Sequence, residues 1–329
     1  MSSDIKNKKY SYREGNPQGL WQSIKSGKAF KMLFRGEIPE RFRSWDKFVK
    51  YNRKIFFQCI HKTPPIACQE SANVAIHSLV CHIDMEMYLL AIKSFLRFYN
   101  HVQIFAHSDG SLNSDDKTIM QKHIPNIKII DETNKLWQHT LNKVRNDFIA
   151  KGCGNILLTK LFLHFFSTSK KIIILDTDII FLKRPDELID WIEDNNKNLK
   201  PLYNKDRYDT LRDAKERLEK EFNITKFPPH FNAGLICMKK DISKEEIEKL
   251  LPINFNYHNT QLTKGDQTIH HIMLARRNAQ PLDSEKYNIF DGKEFPKHAK
   301  MIHFPYHVRF KKNVYLKLAK KNCKQLKKH

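Results

Sequence analysis

Two carboxylates separated by one residue interrupt an apolar run in "KKIIILDTDIIFLKRPDE", residues 170–187. Asp176 and Asp178 lie between the apolar stretches 172–175 and 179–182. Charges in such surroundings are costly unless a partner compensates them. Residues two apart on an extended chain project to the same side, so both carboxylates can face one cation. Oxygen donors with open positions suit Mg2+ or Mn2+, and open α/β sheets bind ligands at the carboxyl ends of their strands. The plainer alternative is a pair of loop acids hydrogen-bonded to backbone.

Four further stretches carry groups of the same kind. Lys160 is the only full charge between residues 155 and 169, in "NILLTKLFLHFFS". A buried ammonium needs an anion, either a core acid or a ligand phosphate. In "PPHFNAGLICMKKD", Asn232 and Gly234 open a strand-like run; glycine there permits close approach of a ligand, although an ordinary turn also fits. In "TKGDQTIHHIM", Asp266 and Gln267 follow Gly265 at the head of an apolar-periodic helix. Asp266 is then an N-cap or a polar group aimed at a bound ligand. His303 ends a short apolar run in "KMIHFPYHVRF"; a lone histidine is usually structural, but an imidazole can complete a carboxylate-rich metal site.

The elements that must position these groups alternate in type. "NVAIHSLVCH" reads as a strand, and "DMEMYLLAIKSFLRF" as a helix with apolar positions at 85, 88, 89, 92, 95 and 96 and Asp84 as its cap. "VQIFAHSDGS" reads as strand and turn, "SDDKTIMQKH" as a polar helix, "NIKII" as a strand, and residues 133–149 as a mostly polar helix. The stretch around Lys160 is apolar nearly all round, which predicts a buried helix. "RPDELIDWIED" places Pro185 near the first helical position with acids in the first turn. This alternation predicts an α/β sandwich with a mostly parallel central sheet. Neither GxGxxG nor GxxxxGK[ST] occurs, which removes the main support for dehydrogenase and P-loop readings.

In their order, these stretches resemble the GT-A nucleotide-sugar glycosyltransferases, most closely the family 8 type, over about residues 73–310. The resemblance rests on "LVCHIDMEMYLLAIKSFLRFY", "HSDGS", "TKLFLHF" before "ILDTDIIF", "FNAG", "GDQ" and the late "HF". It implies a GT-A, Rossmann-like α/β/α sandwich and retaining transfer of a hexose or pentose from a nucleotide sugar, a UDP-sugar above all. Asp176, Asp178 and His303 match the family's ligands for Mn2+ or Mg2+. Val80, Cys81 and His82 fall where the family contacts the base, and Asp109 lies in the "HSDGS" turn of the donor site. Lys160 falls at a basic donor contact, Asn232 and Gly234 at the sugar pocket, and Asp266 and Gln267 near the reacting carbon as catalytic candidates. Arg309 takes the place of a lysine that contacts the leaving diphosphate, while Tyr306 stands where the family has glycine and its Pro-Trp ending is missing. No residue declares itself a nucleophile, so front-face substitution is the implied mechanism.

Composition bounds the setting. The chain has 329 residues, 40% of them hydrophobic, and a net charge of +22, which favours phosphate-bearing ligands, anionic membrane surfaces or nucleic acid. Residues 1–70 form a basic zone in which Trp21, Phe30, Phe34, Phe42, Trp45 and Phe48 either pack on the main domain or face a membrane surface. Residues 71–310 form the transferase domain. Residues 311–329 read as a solvated basic tail, the segment from Arg309 onward holding nine Lys or Arg and no acid. Six cysteines without CxxC spacing, a polar N-terminus and no apolar run of membrane-spanning length predict a cytoplasmic protein, peripheral to a membrane at most. Nucleic acid is not an expected partner; the acceptor is a glycan, lipid or protein. Two rivals remain: a non-enzymatic polyanion- or membrane-surface-binding protein, and a phosphatase of the haloacid dehalogenase type, in which Ile180 stands where Thr or Val is expected.

Overall fold

The computed structural model describes residues 53–70, 72–143, 156–209, 211, 214–252, 265–305 and 308–328. The six aromatics of the N-terminal zone, Cys153, residues 144–149 of the expected polar helix, and Tyr306 lie outside the described residues.

In chain order the elements are β1 (Val74–Val80), α1 (Met85–Leu96), β2 (Gln103–Ser108), α2 (Ser114–His123), β3 (Lys128–Ile130) and α3 (Lys135–Lys143). A 3-10 segment, Ile156–Phe166, precedes β4 (Lys171–Leu175), β5 (Ile179–Phe181), α4 (Asp186–Glu193), β6 (Leu202–Lys205), α5 (Lys215–Phe222) and β7 (Phe231–Lys239). The chain continues through α6 (Lys244–Leu250), α7 (Gly265–Ala275), β8 (Gln280–Pro281), β9 (Tyr287–Ile289), β10 (Met301–His303) and α8 (Val314–Leu326). Seven strands form the central sheet in the order β3-β2-β1-β4-β7-β6-β8. Strands β3, β2, β1 and β4 run parallel; β7 is antiparallel to its neighbours β4 and β6. A second sheet has the order β5-β10-β9.

Alternation along the strands builds the two hydrophobic layers, because successive side chains point to opposite faces. Val74, Ile76, Ile173, Leu175 and Cys237 pack with α1, α4 and α8. Ala75, Ile172, Ile174, Ile236 and Met238 pack with the 3-10 segment, α6 and α7. Strands β1, β2 and β4 run the same way, so their carboxyl ends, at Val80, Ser108 and Leu175, share one edge.

Four local expectations are corrected. The stretch around Lys160 is buried, as its apolar composition predicts, but its winding is 3-10 over Ile156–Phe166. Asp84 occupies the cap position of α1 without a side-chain cap bond. The apolar run after Asp178 does not continue the strand before it: residues 179–181 leave the central sheet and join the second one. The C-terminal segment is a helix rather than a solvated tail. Tyr315, Leu316, Ala319, Cys323 and Leu326 of α8 are buried in the core shared with α1, and its lysines occupy the opposite side, as amphipathic spacing requires. Described residues of the N-terminal zone join the same core through Phe57 and Ile60. Among the described residues no helix is long and apolar enough to cross a membrane.

Buried histidines, among them the five that follow, make the fold sensitive to acid. Burial lowers His77 well below its ordinary value, His107 and His270 to about 3, and His164 and His271 to about 4. An unfolded chain takes up protons on these imidazoles below about pH 6.5, whereas the fold does not. Their contribution is therefore intact above about pH 6.5 and lost as the pH falls toward the folded values, by about 1.4 kcal/mol per pH unit for each histidine. The urea midpoint at about pH 5 is expected to lie well below that at about pH 7. Equal midpoints would mean that the fold itself protonates these rings.

Candidate functional site

The DTD stretch is held at both ends by backbone pairing. The Asp176 amide donates to the Gly234 carbonyl at 2.8 Å, extending the β4–β7 ladder past Leu175. On the other side, Ile179 pairs with His303 across β5 and β10, and the Phe304 amide donates to the Asp178 carbonyl at 2.9 Å. Ladder register thus sets His303 beside the two acids although about 125 residues separate them in sequence. Its Nε2 lies 3.1 Å from Asp178 Oδ1 and 3.9 Å from Asp176 Oδ2. Gly234 makes room for this ring. A Cβ there would meet His303 Cε1 at 2.4 Å and Nδ1 at 2.6 Å, closer than real Cβ contacts occur.

Each carboxylate gives its other oxygen to a buried cation. Lys160 Nζ donates to Asp176 Oδ1 at 2.6 Å and to the Ala233 carbonyl at 3.1 Å, with Asp266 Oδ2 4.0 Å away. Lys160 is only 4% exposed. Burial works against its charge, but Asp176 and Asp266 outweigh burial and push its pKa above the ordinary lysine value. Arg309 donates from Nη2 to Asp178 Oδ2 at 2.6 Å, and its Nη1 lies 3.7 Å from Asp84 Oδ1. Burial alone would raise the Asp178 carboxyl; the Arg309 guanidinium and the His303 imidazole hold it well below the usual carboxylate range instead.

The remaining oxygens, Asp176 Oδ2 and Asp178 Oδ1, converge with His303 Nε2. Asp176, Asp178 and His303 offer ligand atoms that all lie within 4.8 Å of one another, and among the described residues this is the one such group. Two carboxylate oxygens and one imidazole nitrogen fit a divalent ion with positions left for a ligand.

No protein-family model and no curated protein matches the sequence. Solved structures do match. LgtC, a galactosyltransferase solved with donor and acceptor sugar analogues, superposes with a TM-score of 0.54 at 11% identity, covering 76% of this chain and 95% of that one. An active-site mutant of LgtC gives a TM-score of 0.51 at 10% identity, over 70% and 86% of the two chains. The chain has the GT-A fold. Beyond that fold, these identities carry no residue roles, and the site rests on its own geometry.

At the same edge of the GT-A sheet lie the other residues singled out from sequence. Val80 is buried at the end of β1, and its carbonyl accepts from the Asp109 amide at 3.1 Å. Asp109 Oδ1 in turn accepts from the Ser111 amide at 2.9 Å. Cys81 and His82 are half-buried, and His82 Nδ1 lies 2.5 Å from Asp116 Oδ2. Asn232 Oδ1 accepts from the Gly234 amide at 2.8 Å while its Nδ2 donates to Asp206 at 2.9 Å. Asp266, in the first turn of α7, is buried near Lys160, and Gln267 donates to the Phe231 carbonyl at 2.7 Å.

Several partners escaped the sequence reading. Arg53 is buried, hydrogen-bonds the His82 carbonyl, and pairs with Glu86 at 2.9 Å and Asp116 at 3.3 Å. Asp116 also closes the Asn113 capping box at the start of α2, a pattern that "NSDD" signals in sequence. Arg53 carried no local signal, since its partners are up to 63 residues away.

Gly234→Ala isolates the steric requirement. The added methyl displaces the His303 ring, so Mn2+ affinity is expected to fall by roughly 10-fold or more with the fold retained. Mn2+ titration followed by electron paramagnetic resonance reads this directly. Unchanged affinity would remove His303 from the ligand set.

Proposed function

We propose that the protein is a metal-dependent glycosyltransferase that takes a sugar from a nucleotide sugar, a UDP-sugar, and transfers it with retention of configuration. The observation that carries this reading is the convergence of Asp176 Oδ2, Asp178 Oδ1 and His303 Nε2 at the carboxyl edge of a GT-A sheet. LgtC, of the same fold, is solved with donor and acceptor sugar analogues. Asp176, Asp178 and His303 would hold a divalent ion, Mn2+ or Mg2+, which when bound would supply positive charge to stabilise a departing diphosphate.

The chain's own groups divide the remaining work. Lys160 and Arg309 fix the two carboxylates so that one oxygen of each faces His303. Their positive charge also adds to the field at the diphosphate, and charge placed in advance where negative charge develops is worth most in a dry site. Val80, Cys81, His82 and Asp109 receive the nucleotide at the ends of β1 and β2. Asn232 and Gly234 line the sugar pocket. Asp266 and Gln267, at the head of α7, face the reacting carbon and support the positive charge that develops there. The acceptor attacks from the face the diphosphate leaves, with no covalent sugar–enzyme bond. The acceptor is a glycan, lipid or protein, and the setting is the cytoplasm, with the basic termini in peripheral contact with a membrane.

A thermal-shift screen of UDP- and GDP-sugars with and without Mn2+ tests the reading. Saturation at about 100 Kd contributes about 2.7 kcal/mol, which corresponds to a Tm rise of several degrees. The rise is expected for UDP-sugars with Mn2+ in the wild type and is lost in Asp176→Ala/Asp178→Ala. In turnover, Asp176→Asn is expected to cost roughly 100-fold or more in kcat. A wild type that no nucleotide sugar stabilises in a metal-dependent way would sink the proposal.

A further inference from the structure

Away from the carboxyl edge of the sheet, two thiols from opposite ends of the chain meet. Cys59 lies on the short helical turn Gln58–His61 and Cys323 on α8. Each thiol is close enough to influence the other's proton affinity. Cys323 is buried and Cys59 half-buried. Both line a cavity of about 380 Å3 together with Lys62, Lys320, Lys324 and Lys327. Among the described residues no carboxylate lines it.

We infer that Cys59 and Cys323 form a thiol–disulfide exchange site for a small anionic disulfide, with Cys59 as the attacking sulfur and Cys323 as the resolving one. The two thiols are unequal in the way such a pair requires. The neighbouring Cys323 thiol favours the Cys59 thiolate, burial opposes it, and Lys320 and Lys327 add to it, so Cys59 is held below its ordinary value, and it is also the more accessible of the two. The same proximity, with burial, pushes Cys323 up despite Lys93 and Lys327 nearby. Burial also raises Cys68 and Cys237, so neither competes as a nucleophile. The thiolate is the reactive species in exchange, and a position beside lysines is the usual setting of reactive cysteines.

The chemistry balances with the disulfide as the sole oxidant. The Cys59 thiolate attacks one sulfur of the disulfide, forms a mixed disulfide and expels one thiolate. Cys323 then loses its proton and attacks Cys59 Sγ, forming the Cys59–Cys323 bond and expelling the second thiolate, so one disulfide is reduced to two thiols. Both sulfurs line the same cavity, so the second step needs only local movement. The lysines supply the selectivity, since an anionic disulfide is concentrated in their field and a cationic one is repelled.

Oxidised glutathione applied to the full-length chain at about pH 7, followed by alkylation and peptide mass mapping, tests the site. The wild type is expected to give a Cys59–Cys323 cross-linked peptide first, with a Tm raised by about 5 °C or more, because the bond closes most of the chain into one loop. Cys323→Ser removes the resolving sulfur with little change of size and is expected to stop at a glutathione adduct on Cys59. That adduct should form at least about tenfold faster than one on Cys81, which is also half-buried. Cystamine, a cationic disulfide, should react with Cys59 several-fold more slowly than oxidised glutathione, with the gap narrowing as salt is added. A wild type that forms no Cys59–Cys323 bond, or a Cys59 that reacts no faster than Cys81, overturns the inference. Equal rates for the two disulfides overturn its anionic selectivity.

Discussion

Because His303 pairs with Ile179 across the β5–β10 ladder, the imidazole is delivered to Asp178 by backbone register rather than by side-chain choice. Asp176 is fixed independently, through its amide to Gly234 on β7. The two acids therefore belong to a short bridge between two sheets. A slip of one residue in either ladder would turn a carboxylate or the imidazole to the opposite face. Gly234 ties the ladders together: it accepts from Asp176 and leaves the space that the His303 ring fills.

The chain ends reinforce this junction. Tyr315 of α8 packs edge-on against Phe304, at 5.0 Å between ring centroids, and against Phe57 from the N-terminal zone, at 5.9 Å. Phe304 follows His303 directly, and Arg309 lies between Phe304 and α8, its Nε 3.4 Å from the Phe304 carbonyl. The helix thus sets where the guanidinium reaches Asp178. From the other end, Arg53 holds the turn after β1 through the His82 carbonyl and through Glu86 and Asp116. Burying three charges there is tolerable because each finds an opposite charge within hydrogen-bonding reach.

What the sequence disclosed follows from the range of the forces involved. Periodicity exposed β1, α1, β2, α2, β3 and β4, since each is amphipathic or apolar over its own length. The acid pair was legible because charge in an apolar run is rare, and the ordered motifs added His303. Pairing across space was not legible. Nothing local in "YHVRF" says that Arg309 is buried against Asp178, and nothing in "LLTKLF" says that Lys160 bonds Asp176 directly. The basic C-terminus departs from its expected solvated state for a related reason. Net charge dominates its composition, whereas burial is decided by the apolar residues at 315, 316, 319, 323 and 326, which share one side of α8. The 3-10 winding around Lys160 has no sequence signature distinct from an apolar α-helix.

The formal charges around Asp176 and Asp178 suit the divalent ion proposed above. Four formal carboxylates, Asp84, Asp176, Asp178 and Asp266, lie near two fixed cations, Lys160 and Arg309. The cluster is left two negative charges in excess, the charge of one divalent ion. Uncompensated, two adjacent carboxylates would repel and one would take up a proton. Here Lys160 bonds Asp176 and Arg309 bonds Asp178, so each acid keeps its place through a partner of its own. The proposed ion would then enter a frame already held by these two ion pairs. The same pairing leaves one oxygen of each acid pointing at His303 Nε2, which is the geometry a ligand-bearing ion requires.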